Sequence, residues 1–267
     1  MLEIKDLSIK YGKDRNIIEN FSLTVNKGEI VTIAGESGSG KTTVIRAVMG
    51  ALPSGGKVTG GSIVFDGENL LDYTVSQWRN LRGTKISMIF QDCGAALNPI
   101  QKIGTQYIRY IRLHSSMSKE EAWKLACEKL KSVNLYDTES IMDSFPHQLS
   151  GGMRQRASFA RTLLAGAGLL LLDEPFSALD SLTRIGLQEW LLQEWEKHKK
   201  TILFVTHDVE EAIFLSQKIF VITDRPITHF EEYKIPLGYP RNRADLKRED
   251  IVLLREELIK KLRQEEA

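Results

Sequence analysis

The sequence predicts an α/β fold in which helices cover a parallel β-sheet. Two observations lead to this prediction: short apolar runs recur along the chain, and segments with helical apolar spacing separate them. Glycine or polar residues bound the runs, as expected for buried parallel strands. The runs lie at residues 30–34, 86–90, 169–172, 201–205 and 218–222.

The composition is that of an ordinary globular protein. Of 267 residues, 42% are hydrophobic and 27% are charged, which excludes collagenous and disordered classes. The formal net charge of +1 gives no support for nucleic-acid binding by bulk charge. The two cysteines, Cys93 and Cys127, form no CxxC pair, so a zinc site or disulfide framework is not expected and a reducing, cytosolic compartment fits.

Neither a membrane span nor a signal peptide is expected. The longest aliphatic run, residues 169–172, is far shorter than the roughly 20 residues that a membrane helix needs. The first ten residues, MLEIKDLSIK, alternate as a half-buried strand does and do not resemble a signal peptide.

The remaining elements follow from local patterns. Alternation predicts strands near residues 2–7, 21–25 and 62–65, and the Pro and Gly content of residues 52–61 predicts a loop. Helices are predicted at 42–49, 182–199 and 209–216, and residues 93–161 are expected to form a helical insertion. Ser118 and Glu121 form a capping-box pattern in that insertion. The charged tail carries an amphipathic helical stripe formed by Ile251, Leu254, Leu258 and Leu262.

A phosphate-binding loop follows the first buried run. Residues 35–42 read GESGSGKT, which matches G-x-x-x-x-G-K-[ST] in full, between a predicted strand and a predicted helix. Glycines let backbone amides face phosphate oxygens, and the helix start adds its positive dipole end. Lys41 can reach the β and γ phosphates, and the Thr42 hydroxyl can bind Mg²⁺. The loop predicts a P-loop NTPase.

Two carboxylates end the run at 169–172. Asp173 and Glu174 follow four leucines, at the end of a buried strand where open parallel sheets place ligands. Asp173 suits a magnesium shell, and Glu174 could polarise the water that attacks the γ phosphate.

A second anion-binding segment reads LSGGM at residues 149–153, before the predicted helical run RQR. The Ser150 hydroxyl and the backbone amides of Gly151 and Gly152 could face a phosphate, with the helix dipole behind them. With the two preceding motifs, in this order over almost the whole chain, the sequence strongly resembles the nucleotide-binding subunits of ATP-binding cassette (ABC) transporters. In that family the fifth signature residue is usually glutamine, whereas this chain has Met153.

The resemblance implies a fold and an approximate division of the chain. The whole chain, 1–267, would be one ABC ATPase domain with a parallel-sheet P-loop core and an antiparallel β subdomain at 1–92 and 162–230. A helical subdomain would be inserted at 93–161, and a helical tail would occupy 231–267.

The resemblance also implies a set of site residues. Tyr11 corresponds to the aromatic residue that stacks on adenine, Gln91 to the Q-loop glutamine, and His207 to the switch histidine that contacts the γ phosphate. Asp180 lies in the D-loop, which crosses to the other subunit. The implied ATP-binding residues are Tyr11, Gly35, Glu36, Ser37, Gly38, Ser39, Gly40, Lys41, Thr42, Thr43, Ser150, Gly151, Gly152 and Asp180.

Catalysis in the family requires ATP, Mg²⁺ and a dimer. The implied catalytic residues are Glu174, His207, Gln91 and Lys41, and the implied magnesium ligands are Thr42, Gln91 and Asp173. Residues 150–152 of a facing subunit, identical or paralogous, would close the site over ATP.

The resemblance to importers points to two branches. The runs IFQD at 89–92 and LSGGMRQR at 149–156 resemble peptide and nickel importers, whereas EEAIFLSQKIFVITDRP at 210–226 resembles nitrate, sulfonate and taurine importers. A peptide, nickel or metal chelate is the expected cargo, with a nitrate, sulfonate or taurine type as the alternative. Expected partners are two membrane permease subunits and, through them, an extracytoplasmic solute-binding protein, which place the chain peripherally on the cytoplasmic face of the membrane.

Two other functions belong to different classes. A soluble ABC ATPase acting on nucleic acid or ribosomes would usually carry two cassettes, long coiled coils or zinc modules, and none of these patterns is found here. A regulator that binds ATP without hydrolysing it is disfavoured by the presence of Glu174 and His207.

Overall fold

A computed structural model describes residues 1–12, 15–90, 97–164, 166–228 and 230–263. Contacts divide the chain into two compact units: unit 1 comprises residues 1–79 and 191–267, and unit 2 comprises residues 80–190. The division falls within two helices, α2 and α7, whose bounds are given below.

The described residues form strands and helices in the alternating order expected from the sequence. The strands are β1 (Leu2–Tyr11), β2 (Arg15–Val25), β3 (Ile30–Gly35), β4 (Gly56–Phe65), β5 (Glu68–Asn69), β6 (Ile86–Ile89), β7 (Leu169–Asp173), β8 (Thr201–Thr206), β9 (Lys218–Ile222) and β10 (Phe230–Lys234). The helices are α1 (Lys41–Val48), α2 (Val75–Leu81), α3 (Ile103–His114), α4 (Lys119–Ser132), α5 (Thr138–Asp143), α6 (Gly151–Leu164), α7 (Ser181–His198), α8 (Val209–Leu215) and α9 (Glu249–Arg263). Short 3₁₀ turns lie at Leu70–Asp72, Pro146–Gln148 and Arg243–Lys247.

An antiparallel sheet in unit 1 has the order β2-β1-β4-β5. The prediction of a loop over residues 52–61 is wrong from Gly56 onward, because β4 begins there and pairs with β1. Gly61 makes this pairing possible: its φ is +85°, and a Cβ atom at this position would lie 2.4 Å from the Lys5 carbonyl oxygen. The register shifts between Lys5 and Ser8, whose partners are Ser62 and Gly60, so Gly61 lies opposite a β-bulge formed by Asp6 and Leu7 of β1.

The parallel strands of unit 1 position its candidate site: the phosphate loop follows β3, and His207 follows β8. Strand β3 lies between β8 and β9 and pairs in parallel with both. Every residue of β3 and β8 is buried, which explains why these strands read as continuous apolar runs. The α/β fold class, with a parallel sheet and a separate antiparallel sheet, is confirmed.

The C-terminal tail, expected to be helical from residue 231, begins with strand β10. This strand pairs antiparallel with β9, and the Phe230 ring packs against Phe21 and Phe220, with ring centroids 5.1 and 5.8 Å apart. The predicted amphipathic helix follows as α9, whose Ile251 and Leu258 are buried. The strand escaped prediction because five residues carry too short a pattern to separate from a loop.

Unit 2 contains the parallel pair β6 and β7 together with helices α3 to α6. The capping box predicted at the start of α4 is confirmed: the Glu121 amide donates to the Ser118 hydroxyl at 3.2 Å, and the Ser118 amide donates to the Glu121 carboxylate at 2.8 Å. Tyr107 of α3 is fully buried, and its hydroxyl donates to the Ala157 carbonyl of α6. Across the described ranges, no helix combines the length and the apolar composition that a membrane span requires.

Candidate functional site

The phosphate-loop sequence lies between β3 and α1, as predicted. Gly35 ends β3 beside β9, where a Cβ atom would lie 2.8 Å from the Ile222 carbonyl oxygen. Gly40 precedes α1 with a φ of +105°, and a Cβ atom there would lie 3.0 Å from Ile17 Cγ2. Gly35 is required because the Ile222 carbonyl lies too close for a side chain, and Gly40 is required because its backbone has a positive φ.

Lys41 lies at the first position of α1 and is only 4% exposed. Its ammonium group donates to the carbonyl oxygen of Glu36 and, at 3.3 Å, to the hydroxyl of Ser39. The lysine is thus folded back over its own loop. Thr42 and Thr43 follow in the same first turn, where the amides of a helix N-terminus favour an anion.

Arg225 contacts the phosphate loop from the segment between β9 and β10. Its guanidinium Nη2 donates to the Ser37 carbonyl oxygen at 2.6 Å and to the Glu36 carboxylate at 3.3 Å. It also lies beside Gly38, where a Cβ atom would be 3.6 Å from Nη1. Sequence reasoning missed this residue: the run VITDRP marked a subfamily resemblance, but no phosphate-loop motif reaches residue 225.

His207 follows β8 immediately and is exposed. The next residue, Asp208, caps α8 by accepting hydrogen bonds from the amides of Glu210 and Glu211 at 2.9 and 3.1 Å. This cap fixes the turn that presents the histidine.

The structure brings His207 together with the start of the phosphate loop. Gly35, Glu36 and His207 line one cavity of about 670 Å³ with residues of α8 and α9, a volume in the range of small-molecule sites. From α9 the lining residues include Arg255, Ile259 and Arg263. The contribution of α9 was not predicted, because an amphipathic stripe does not reveal which element it will face.

Tyr11 lies at the end of β1 and is half-buried. Its ring lies against Gly56, at which a Cβ atom would be 2.8 Å from Tyr11 Cε1. The glycine therefore leaves room for the aromatic ring at the strand edge.

The carboxylate pair of unit 2 lies at the end of β7, as the sequence predicts. Asp173 is 1% exposed and Glu174 is 8% exposed. Glu174 has a φ of +45°, a left-handed backbone that is uncommon for a residue with a side chain. The Ser177 hydroxyl donates to the Glu174 carbonyl at 2.9 Å and holds this turn. Backbone strain of this kind is typical of residues whose direction matters for function.

The signature segment begins helix α6 in unit 2. The Ser150 hydroxyl accepts a hydrogen bond from the Met153 amide at 3.2 Å, which is the geometry of a helix cap. Gly151 and Gly152 are the first helical residues, and a Cβ atom on Gly151 would meet nothing within 4 Å. The start of the helix is therefore sterically open on that side.

Two contacts join α6 to the segment after β7 within unit 2, and Gly152 faces the same segment. The Gln155 side chain donates to the Pro175 carbonyl, and the Phe159 ring stacks on Phe176 at a centroid distance of 6.2 Å. A Cβ atom on Gly152 would lie 3.9 Å from Leu179 Cδ2. The signature helix thus packs directly on the residues that follow the carboxylates.

Asp180 precedes α7 and accepts a hydrogen bond from the Thr183 amide at 3.0 Å. This hydrogen bond holds the pKa of the Asp180 carboxyl below its usual value. The side chain is therefore an anion near neutral pH.

Gln91, expected to be both a catalytic residue and a magnesium ligand, lies outside the described residues, as does Cys93. Within the described part of the chain, no group of three or more His, Cys, Asp or Glu side chains could hold a metal ion by itself. The Thr42 hydroxyl and the Asp173 carboxylate are hard oxygen donors, which is the chemistry that Mg²⁺ prefers when substrate phosphates and water complete its shell.

A phosphate-binding loop between a buried parallel strand and a helix, with a buried carboxylate pair at another strand end, defines a nucleotide-binding P-loop ATPase. Residues 18–177 match the family described as ABC transporter. The chain belongs to this family and is an ABC ATPase domain, so the resemblance stated from the sequence is confirmed.

Two curated relatives illustrate the similarity. The dipeptide transport ATP-binding protein DppD of Lactococcus lactis is 37% identical over 83% of this chain and 65% of its own length. The chain therefore spans just under two thirds of that relative. The formylaminopyrimidine import ATP-binding protein ThiZ of Halalkalibacterium halodurans is 34% identical over 97% of this chain and 98% of its own length.

A solved structure shares the fold. The dimeric post-hydrolysis state of the ATP-binding cassette MJ0796, bound to ADP and Pi, is 28% identical with a TM-score of 0.78, over 89% of this chain and 100% of that one.

Proposed function

We propose that this chain is the ATP-hydrolysing subunit of an ABC importer and that it energises the passage of a small solute through partner permeases. The observation that carries the proposal is the phosphate loop, in which the buried Lys41 ammonium and the first turn of α1 are arranged for a polyphosphate. The identity with transport ATP-binding proteins supports the coupling to transport.

Each motif has a role in the proposed reaction. Lys41 binds the β and γ phosphates as a charged donor. Tyr11 stacks on adenine, a role that its half-buried place at a strand end supports. Glu174 orients and polarises the attacking water, and its restricted backbone supports a fixed direction for the carboxylate. His207 donates to the γ phosphate and Gln91 positions the water.

Magnesium completes the proposed chemistry. The Thr42 hydroxyl, the Asp173 carboxylate and Gln91 would hold it, and the ion would neutralise charge on the transferring phosphoryl group. The position of Asp173 at the end of the buried strand β7 supports this assignment, because open parallel sheets bind ligands at the carboxyl ends of their strands.

The working unit in this proposal is a dimer. Residues 150–152 of a second subunit bind the γ phosphate of the ATP held by the first, and Asp180 crosses between the two. The dimeric MJ0796 cassettes support this arrangement. ATP then favours the closed dimer and hydrolysis favours the open one, which is a two-state equilibrium shifted by a ligand.

The proposed partners are two permease subunits and an extracytoplasmic solute-binding protein, with this chain on the cytoplasmic face of the membrane and without nucleic acid. A peptide, nickel or metal-chelate cargo is supported by the similarity to the dipeptide transport protein. A second candidate is an importer of the nitrate, sulfonate or taurine type. The resemblance of the run EEAIFLSQKIFVITDRP at 210–226 to that branch supports this alternative.

A purification of tagged Glu174→Gln protein from membranes tests the proposal. The amide cannot act as a base, so we expect ATP turnover to fall about 100- to 10,000-fold while ATP binding and the closed dimer persist. Permease chains should then co-purify with ATP present. A second, different ATPase among them would support peptide or nickel import, and this ATPase alone would support the second candidate.

Glu139→Gln is the matched control, because it makes the same chemical change on an exposed side chain of α5 in the same unit. It should keep wild-type turnover. Wild-type turnover in Glu174→Gln would remove Glu174 from the proposed role, and the absence of any membrane protein from the purified complex would contradict the transport function.

A further inference from the structure

The Arg225 side chain reaches the phosphate loop from the segment between β9 and β10. The Arg225 guanidinium joins the Ser37 carbonyl at 2.6 Å and the Glu36 carboxylate at 3.3 Å. It thereby contacts two consecutive residues of the outer turn of the loop. The carboxylate of the adjacent Asp224 accepts a hydrogen bond from the Thr228 hydroxyl at 2.9 Å, so this neighbour has a partner within its own segment.

Electrostatics gives this contact a consequence for ligand binding. The loop contains Glu36, a carboxylate beside the place where a polyphosphate binds, and like charges repel. The Arg225 guanidinium places a positive charge beside that carboxylate. Both side chains are partly exposed: the exposed fraction is 49% for the arginine and 36% for the glutamate. A hydrogen bond to the Ser37 carbonyl also fixes the turn that aims the loop amides.

We propose that Arg225 is a positioning residue for ATP: it holds the outer turn of the phosphate loop in its binding conformation and neutralises Glu36. This inference rests on the proposed function of the loop as the ATP site. The arginine acts through the loop, so it is not placed among the catalytic residues.

The geometry explains why arginine serves here. Both hydrogen bonds come from Nη2, whose two N–H donors have fixed directions in the guanidinium plane and can serve a carbonyl and a carboxylate together. A lysine ammonium would keep the positive charge, but its donors are not held in that plane. Arg225→Lys is therefore expected to recover part of the effect of Arg225 on ATP binding.

Steady-state ATP hydrolysis by the full chain tests the inference. For Arg225→Gln we expect the KM for ATP to rise about 3- to 10-fold, the range of a partly exposed, charge-assisted contact, with kcat within about two-fold of wild type. Equilibrium binding of radiolabelled ATP should weaken by the same factor. An unchanged KM and affinity would overturn the proposal.

A double-variant comparison tests the role of charge. Once Glu36→Gln has removed the carboxylate, Arg225→Gln should raise KM less than it does in the wild-type background. An equal rise in both backgrounds would refute the neutralisation of Glu36. Arg248→Gln is the matched control, since Arg248 is also 49% exposed and pairs with a carboxylate, Asp250, at 2.7 Å; it should leave KM unchanged.

A further control separates this inference from the proposed function. Lys41→Ala should weaken ATP binding by about 100-fold or more if the loop is the ATP site. Normal binding in Lys41→Ala would refute the site itself, whereas weakened binding in Lys41→Ala with normal KM in Arg225→Gln would refute only the role of Arg225.

Discussion

Replacing Lys41 with alanine separates the contribution of this side chain to folding from its contribution to ATP binding. In the structure the ammonium makes hydrogen bonds to Glu36 and Ser39. Desolvation of the buried ammonium offsets part of what these charge-assisted bonds gain, so the two together contribute about 1–3 kcal/mol to the free energy of unfolding. A domain of this kind is stable by about 5–15 kcal/mol, so the variant should remain folded.

The expected loss of ATP binding is larger. An ammonium on two phosphate groups makes charge-assisted hydrogen bonds worth about 1.5–3 kcal/mol each, or about 3–6 kcal/mol together. At about 1.4 kcal/mol for each factor of ten, the dissociation constant for ATP should rise about 100- to 10,000-fold. Phosphate would have to displace the Glu36 and Ser39 oxygens from the Lys41 ammonium, so the measured loss should fall toward the lower end of that range.

The assay pairs equilibrium ATP binding with thermal unfolding of the same sample. Lys27→Ala is the control, because Lys27 is exposed in the turn before β3 and should change neither quantity. A folded Lys41→Ala protein that binds ATP with wild-type affinity would refute the assignment of the loop. Loss of binding with an unfolded protein would show that the stability estimate is wrong.

Two further predictions concern stability. Gly61→Ala should lower the free energy of unfolding by about 2–5 kcal/mol, because its left-handed backbone and the Lys5 carbonyl at 2.4 Å both oppose a Cβ atom. Gly67 is the control, because its φ is also positive but a Cβ atom there would meet open space. In urea unfolding, Gly67→Ala should therefore lower the free energy of unfolding by only about 1–2 kcal/mol. Equal losses in the two variants would refute the clash at Gly61. Burial raises the pKa of the Tyr107 phenol, so the unfolded chain loses this proton near pH 10 while the folded chain keeps it, and stability should fall as pH rises above about 10. Urea midpoints at pH 9 and 11 should fall less in Tyr107→Phe than in wild type, and an identical fall would contradict this origin of the pH dependence.

Much of the nucleotide-binding core was predictable because each of its elements has a local signal. The helix predicted at 42–49 is α1 at Lys41–Val48, and the runs at 201–205 and 218–222 are strands β8 and β9. A buried parallel strand must be apolar throughout, and a phosphate loop must carry glycines at fixed spacing. The positions of the phosphate loop and the carboxylate pair at strand ends follow from those same signals.

The features that sequence reasoning missed depend on contacts between distant residues. From the sequence alone, Gly60 and Gly61 indicate a loop. Their place in a strand depends on the bulged pairing of β4 with β1, which local sequence does not reveal. Arg225 is 188 residues from Ser37 in the chain, and no periodicity links the two. The α9 side of the cavity beside His207 likewise depends on which face of unit 1 receives an amphipathic helix.

The packing of α6 onto the residues after β7 has a mechanical consequence. Gln155 and Phe159 join the helix that follows the signature serine to the segment after Glu174 and, through the Trp190 ring, to the middle of α7, so these parts form a single piece of unit 2. A close-packed piece of this kind resists deformation and moves as a whole. A displacement of Ser150 would therefore also displace Glu174, because both belong to the same packed body. In the proposed dimer, a second subunit that binds at Ser150 would change the position of Glu174 as well.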